Sequence, residues 1–292
     1  MPEPRIRRSM LMTPGNRPDR LAKAASYGAD ALIFDLEDSV PPSEKARARQ
    51  CVAEALRAMP QDGLELCVRI DSPGTAHGAD DIAALPLDLV DSLMVPKVES
   101  PDTLLELERR LSSHDVELIV TLETPRGILN ALAIADATPR TTALFFGSGD
   151  YTSAIGAGVT DAAQHFPRSV IVAAAAAAGC QAIDAAFFQD VKNAEATRRD
   201  AQVARELGFV GKVVFHPSQV AVANEVFSPT RSEIARARLL ISSYRESLAK
   251  GLGTSVTDGV FAAIDLVAPA ERLLQLAATL EARDRQSATT RT

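Results

Sequence analysis

The chain has 292 residues, 46% of them hydrophobic, and a formal net charge of −7. That length suits one large α/β domain, and the acidic balance excludes a nucleic-acid partner, which needs a basic face. Cys51, Cys67 and Cys180 are an odd number without CxxC spacing, which fits reduced cytoplasmic thiols and excludes a disulfide framework or zinc site.

In chain order, eight short apolar runs recur: RSMLMTPG, ALIFDLED, LELCVRID, SLMVPKVE, ELIVTLETP, ALFFGSGD, QAIDAAF and GKVVFHP. Each is too short for a helix and rich in strand-forming residues, and most precede a stretch of helical periodicity. Strands are expected to start near residues 8, 31, 64, 92, 117, 143, 181 and 211, a spacing of roughly 25 to 35 residues that suits a βα unit. Eight such units predict a TIM (β/α)8 barrel, whose active site lies at the C-terminal strand ends.

Arg5, Arg7 and Arg8 lie beside the first strand, and no apolar stretch of signal-peptide length follows them, so they read as local structure rather than a signal peptide. Pro18 and Asp19 open the first helix and Gly28 closes it. Pro41, Pro42 and Ser43 open the second, which ends by Pro60. Pro101 and Pro125 begin two later helices. The window SVIVAAAAAAGCQAIDAAFF is long and apolar enough to be mistaken for a membrane span. Gly179, Gln181 and Asp184 interrupt it, so it reads as a helix ending at Gly179 and then a buried strand, with no membrane segment.

Beyond HPSQV the pattern changes. The division expected is a barrel over residues 1–225 and a helical extension over 226–292 for oligomerisation and capping of an active site. The extension reads as a turn-rich link over 224–230, a charged helix near 232–250, a flexible loop GLGTSVTDG, a last helix, and a disordered tail QSATTRT. It is too short for a core of its own and should pack on the barrel or another subunit.

Glu123 and Asp150 are expected to end the fifth and sixth strands, where two carboxylates converge on one cation. Oxygen ligands without a His or Cys cluster favour Mg²⁺ or Mn²⁺. Arg69 follows the apolar LCV and needs a buried anionic partner. It reads as a bidentate clamp on a substrate carboxylate, as an internal partner of Glu37 or Asp38, or as both. Gly147, Ser148 and Gly149 precede Asp150 and let backbone N–H groups face an anion. They match only half of a dinucleotide fingerprint, which is rejected. Lys97, near several carboxylates, reads as a charged hydrogen-bonding group. His216 reads as structural, and His77, His114 and His165 show no metal-ligand spacing.

The segments RSMLMTPGNRPDRLAKAASYGADALIFDLEDSVPPSEKARAR, CVRID, VPKVES, ETPRGILNA, FGSGDYTSAIGA and HPSQV, in this order, resemble the citrate lyase β-subunit-like branch of the HpcH/HpaI aldolase superfamily. The resemblance implies a TIM-like barrel with a C-terminal extension, assembled as a homotrimer or homohexamer. It implies Glu123 and Asp150 as Mg²⁺ ligands, and Arg69 with the amides around Gly147 to Gly149 as the holder of an α-keto acid carboxylate. Glu37 and Asp38 would stand behind the metal and the arginine. The acyl-CoA lyases of this group carry a catalytic Asp in a C-terminal G-x-M-I-D segment that reaches a neighbouring subunit. This chain keeps Ile264-Asp265, while the Met is absent and the glycine is Gly259. The absence of a His near the second strand points to the acyl-CoA lyase branch rather than the aldolases that use pyruvate enolates.

The function expected is Mg²⁺-dependent retro-Claisen cleavage of a 3-hydroxy-3-carboxyacyl-CoA to an acyl-CoA and an α-keto acid or glyoxylate. Asp265 is the candidate acid. Citramalyl-CoA or malyl-CoA is favoured over a carrier-bound citryl thioester. The alternatives are a metal-dependent pyruvate aldolase, the β subunit of a citrate lyase complex, and a noncatalytic CoA-binding relative, which the Arg69, Glu123 and Asp150 set argues against.

Overall fold

The computed structural model describes residues 5–290 apart from 61–62 and 112; the side chains of 284 and 286–290 also lie outside the description. The chain divides into two compact units, Met1–Phe227 and Ser228–Thr292.

In the first unit, eight parallel strands close a barrel in sequence order. They are β1 (Ser9–Pro14), β2 (Ala31–Asp35), β3 (Glu65–Arg69), β4 (Ser92–Val95), β5 (Glu117–Leu122), β6 (Thr141–Phe146), β7 (Gln181–Asp184) and β8 (Gly211–Val214). This is the TIM barrel expected from the sequence. Successive side chains alternate between the barrel interior and the layer under the helices. Met10, Met12, Ala31, Ile33, Cys67, Met94, Ile119, Ala143, Phe145, Ile183 and Val213 fill the interior. Leu32, Phe34, Leu66, Val68, Leu118, Val120 and Leu144 belong to the larger cluster on the other face.

The same alternation aims the polar residues at both ends of the strands. At the N-terminal end, Arg7 is 2% exposed and donates to Glu65 of β3, Glu117 of β5 and Gln181 of β7. Ser92 adds a hydrogen bond to Glu65 at 2.7 Å. The basic run before β1 is therefore local structure, and Arg7 is the stopper of the barrel floor. Gly211 is required beside it, because a Cβ there would lie 1.7 Å from the Arg7 carbonyl oxygen.

The apolar window resolves into the helix Asp161–Ala178, ended by Gly179 at φ +73°, and then β7. Among the described residues, no helix is long and apolar enough to cross a membrane. Arg168 of that helix pairs with Asp184 of β7 and with Asp200, and Lys212 of β8 pairs with the same two carboxylates. This buried ion cluster ties two helices to the outer wall of β7 and β8.

The second unit differs from expectation in three respects. The loop expected near 251–259 contains the strands β9 (Ser255–Thr257) and, after a turn, β10 (Val260–Ala262), which pair antiparallel. Asp258 and Gly259 between them have φ of 50° and 75°, the double left-handed turn that an Asp-Gly pair favours. The tail expected to be disordered continues as helix to Thr290, residues 291–292 lying outside the description. The unit also has an apolar cluster of its own, because the helices Arg231–Ala249 and Ile264–Thr290 pack with the hairpin around Leu240, Ile241, Tyr244, Val260 and Ala262. Thr230 and Glu233 form a reciprocal cap at the first of these helices.

Replacing Arg7 by Met should leave Glu65 buried without its cation, at a cost of about 3–5 kcal/mol in unfolding free energy. Urea denaturation of Arg7→Met measures the loss. Unchanged stability would show that the floor does not depend on this ion pair.

Candidate active site

At the C-terminal end, the interior positions carry ionised groups. Parallel register sets Asp35 of β2 beside Arg69 of β3. The Arg69 Nε lies 2.6 Å from Asp35 Oδ1 and its Nη2 2.7 Å from Oδ2, a bidentate pair of the strong kind. The Glu37 and Ser39 backbone N–H groups donate to the same two oxygens at 3.0 and 3.2 Å. Burial opposes the charge, but Arg69 and these donors outweigh it and hold the Asp35 carboxyl below the usual carboxylate range.

The Arg69 Nη1 reaches Glu37 Oε2 at 3.0 Å. Lys97 Nζ pairs with Glu37 Oε1 and lies 3.2 Å from Asp38. Of the two expected internal partners of Arg69, Glu37 is present and Asp38 instead faces Lys97. Asp35, absent from the sequence reading, is the arginine's main partner. The signal for it was the pairing of ALIFD with LELCVR, which sets residue 35 against 69.

Lys97 lies beyond β4 at φ 53°, a left-handed conformation that costs a side-chain-bearing residue about 1–3 kcal/mol. This turn aims its backbone N–H at Glu123 Oε1, 2.8 Å away. Lys97 is thus a charged hydrogen-bonding residue through both its side chain and its main chain. Glu123 directly follows β5 and is 2% exposed. Its carboxyl is pushed up to about 8 by burial and by the neighbouring charges of Glu37 and Asp150. Burial also raises Glu37, against Arg69 and Lys97.

Asp150 does not end a strand. The strand β6 stops at Phe146, and Asp150 sits in the first turn of the helix Ser148–Ala154. Gly147 is required where the two segments meet, since a Cβ there would lie 2.4 Å from Glu123 Cβ. Its N–H is already bonded to the Leu122 carbonyl at 3.1 Å, so among the expected backbone donors it does not face an anion. Ser148 and Gly149 keep first-turn amides without intrahelical acceptors.

These residues surround a cavity of about 280 Å³. Its charged lining, Asp38, Arg69, Glu123 and Asp150, comes from the segments that end β2 to β6. Met12 of β1, Ala185, Ala186 and Phe188 after β7, and Phe215 after β8 form an apolar arc opposite. A larger cavity of about 590 Å³ lies between the helices Asp161–Ala178 and Ala194–Leu207. It lacks Arg69 and Glu123, so the smaller one is the candidate site. His216 bonds with Ser218 at 2.8 Å and is not part of the lining. Asp265 is exposed at the start of its helix in the second unit.

The donor set fits a hard divalent cation. Asp35, Glu37 and Asp38 pair with two cations, Arg69 and Lys97, and Glu123 and Asp150 add two more carboxylates beside Glu37. Glu37 Oε2 is buried in its ion pair with Arg69 without a hydrogen bond. No three metal-binding side chains converge among the described residues, so Glu123 and Asp150 would leave most coordination positions to water or substrate, as Mg²⁺ sites commonly do.

The HpcH/HpaI aldolase/citrate lyase family model matches residues 8–217. The citrate lyase subunit beta of Leuconostoc mesenteroides subsp. cremoris is 33% identical over 291 residues, covering 94% of both chains. A (3S)-malyl-CoA thioesterase of Cereibacter sphaeroides is 34% identical over 86% of this chain and 88% of its own. The mitochondrial citramalyl-CoA lyase of Mus musculus is 32% identical over 94% and 87%. Among solved structures, the protein CitE from Mycobacterium tuberculosis in complex with magnesium, acetoacetate and coenzyme A superposes with a TM-score of 0.75 at 32% identity, covering 92% of this chain and 97% of that one. The chain belongs to the HpcH/HpaI aldolase/citrate lyase family and is an enzyme of the lyase class.

The raised Glu123 carboxyl has a definite sign in stability. Between the model-compound value of 4.5 and about 8, the folded protein keeps a proton that the unfolded chain has lost, so stability falls as pH rises through that window. Glu123→Gln removes this dependence. With EDTA present, its Tm should gain on wild type steadily from about pH 5 to about pH 8. Parallel Tm curves for the two proteins would contradict the assignment.

Proposed function

We propose that this family member cleaves a 3-hydroxy-3-carboxyacyl-CoA thioester, of the citramalyl-CoA, malyl-CoA or citryl-CoA type, into an acyl-CoA and an α-keto acid or glyoxylate. The observation that carries the reading is the excess of carboxylates beside a partly free arginine in the cavity. Of the five N–H groups of Arg69, two donate to Asp35, and Nη1 lies 3.0 Å from Glu37 Oε2 as an ion pair without a hydrogen bond. The Nη1 donors and the second Nη2 donor are left for the carboxylate of a substrate in the cavity Arg69 lines.

Glu123 and Asp150 would hold Mg²⁺, which supplies Lewis acidity toward the substrate oxygens and the charge they develop. Arg69, fixed by Asp35, orients the substrate carboxylate. Glu37, raised by burial and with Oε2 in an ion pair with Arg69 but without a hydrogen bond, takes the proton of the substrate hydroxyl. Asp38 and Lys97 balance its charge. As the carbon–carbon bond breaks, the oxygen lone pair becomes the keto-acid carbonyl and the bonding pair passes to the thioester α-carbon. The Ser148 and Gly149 amides stabilise negative charge on the departing keto acid. Asp265 of a neighbouring subunit protonates the thioester enolate, in a homotrimer or homohexamer. The apolar side chains of Val256, Phe261 and Ile264, exposed on the same unit as Asp265, support its docking on another chain.

Purified protein with Mg²⁺ should cleave one of malyl-, citramalyl- and citryl-CoA, with products identified by mass spectrometry. A carrier-bound citryl thioester belongs in the same screen, because the extensive match to a citrate lyase β subunit favours that second reading. Activity on free aldehydes with pyruvate and no need for CoA would sink both. Glu123→Gln and Asp150→Asn should each lower turnover by several kcal/mol of transition-state stabilisation, or at least about a thousandfold, while remaining folded. Activity retained by either variant in EDTA would refute the metal assignment.

Arg69→Ala and Asp265→Ala should each be inactive alone. Co-expression should restore a measurable fraction of activity, because some sites then combine an intact Arg69 with an intact Asp265. Full activity of Asp265→Ala alone would remove it from the mechanism. An inactive Asp265→Ala that is never rescued in verified mixed oligomers would assign it to its own subunit's site.

A further inference from the structure

The loop that carries Glu37 leaves β2, and Leu36 and Val40 root it in the apolar layer under the helices. Its polar anchor is Lys45, the first residue of the helix Lys45–Ala58. The Lys45 side chain turns back beneath the loop and is only 6% exposed. Its Nζ lies 2.6 Å from the Leu36 carbonyl oxygen, 2.8 Å from the Glu37 carbonyl oxygen and 2.6 Å from Asp71 Oδ2. Two carbonyls take hydrogen bonds from this ammonium and Asp71 an ion pair. Lys45 is not among the residues that line the cavity with Arg69 and Glu123, so it touches no reacting atom.

The three acceptors come from two loops. Leu36 and Glu37 follow β2, and Asp71 lies two residues past Arg69 at the end of β3. One ammonium thus joins the segments that carry Glu37 and Arg69, which are themselves paired. The far end of the tether is rigid. Asp81, fully buried, accepts from the Asp71 backbone N–H at 2.8 Å and from Arg49 Nε at 2.7 Å. Arg49 is four residues after Lys45, on the same face of the helix.

We infer that Lys45 is a positioning residue, holding the loops after β2 and β3 so that Glu37 meets both Arg69 and Lys97. The part of this concerned with catalysis rests on the lyase reading above. Removing the ammonium would leave the Leu36 and Glu37 carbonyls without their donor and Asp71 without its ion pair, and the loop would move to find water. Glu37 would move with it, although its own side chain is unaltered.

The test is Lys45→Met, which keeps the length and removes every donor, with Asp71→Asn as a milder second variant that keeps both carbonyl bonds. Hydrogen exchange read by mass spectrometry should show residues 36–40 opening at least about tenfold more readily in Lys45→Met, with β5 to β8 unchanged. Turnover of the CoA thioester should fall about 10- to 100-fold in kcat, as for other residues that orient site groups from behind, with KM for the thioester nearly constant. Asp71→Asn should change both readouts in the same direction by less. If Lys45→Met does not fold, Asp71→Asn decides alone. Exchange at 36–40 as slow as in wild type overturns the inference. So does a loosened loop with wild-type kcat, which makes the anchor merely structural. If wild type cleaves no thioester, the functional reading fails, and the exchange measurement still decides whether Lys45 anchors the loop.

Discussion

Everything at the mouth of this barrel follows from placing a guanidinium at an interior strand position. Arg69 cannot shed its charge, so burial obliges the chain to supply anions around it. Asp35 answers through the register of β2 and β3, and Glu37 through the loop that follows. Bringing two carboxylates to one arginine calls for a second cation, which Lys97 supplies. Lys97 in turn adopts a left-handed backbone that fixes Glu123. Leaving Arg69 buried without its partners would cost several kcal/mol, a large share of the stability of a typical domain.

The two ends of the barrel interior use the same device for opposite ends. Arg7 at the floor is enclosed by Glu65, Glu117, Thr142 and Gln181. All its donors meet protein acceptors, and that end is closed. Arg69 keeps unused donors beside a cavity, and the carboxylates around it outnumber the cations. A fully satisfied network makes structure, and one left with an excess of charge makes a binding site.

The strands were legible in the sequence because each is a short apolar run that ends in a charged or turn-forming residue. Most of the site was legible for the same reason: Arg69 and Glu123 terminate such runs. Asp35 escaped because it reads as part of an acidic cluster, and only pairing residue 31 with 65 separates its role from that of Asp38. Asp150 was misplaced by a few residues because Gly147-Ser148-Gly149 marks a turn without saying that a helix begins at Ser148. Lys45 was illegible, since a lysine at a helix start is usually solvated and its burial depends on how the loop folds over it. In the second unit, Asp258-Gly259 is a hairpin signal, but the strands beside it are three residues each and give no alternating pattern long enough to tell them from a loop. The apolar cluster there depends on two long helices meeting, which no local window reveals.

The charged side chains at the mouth of the barrel come from the segments of β2, β3, β5 and β6, while apolar ones come from β1, β6, β7 and β8. The charged groups are interlocked, so changing one disturbs several. Met12, Phe188 and Phe215, among the apolar ones, form no part of that ionic network. Single substitutions there would reshape that side of the cavity and leave the ionic network intact. Change at this rim is therefore mild where it is apolar and costly where it is charged.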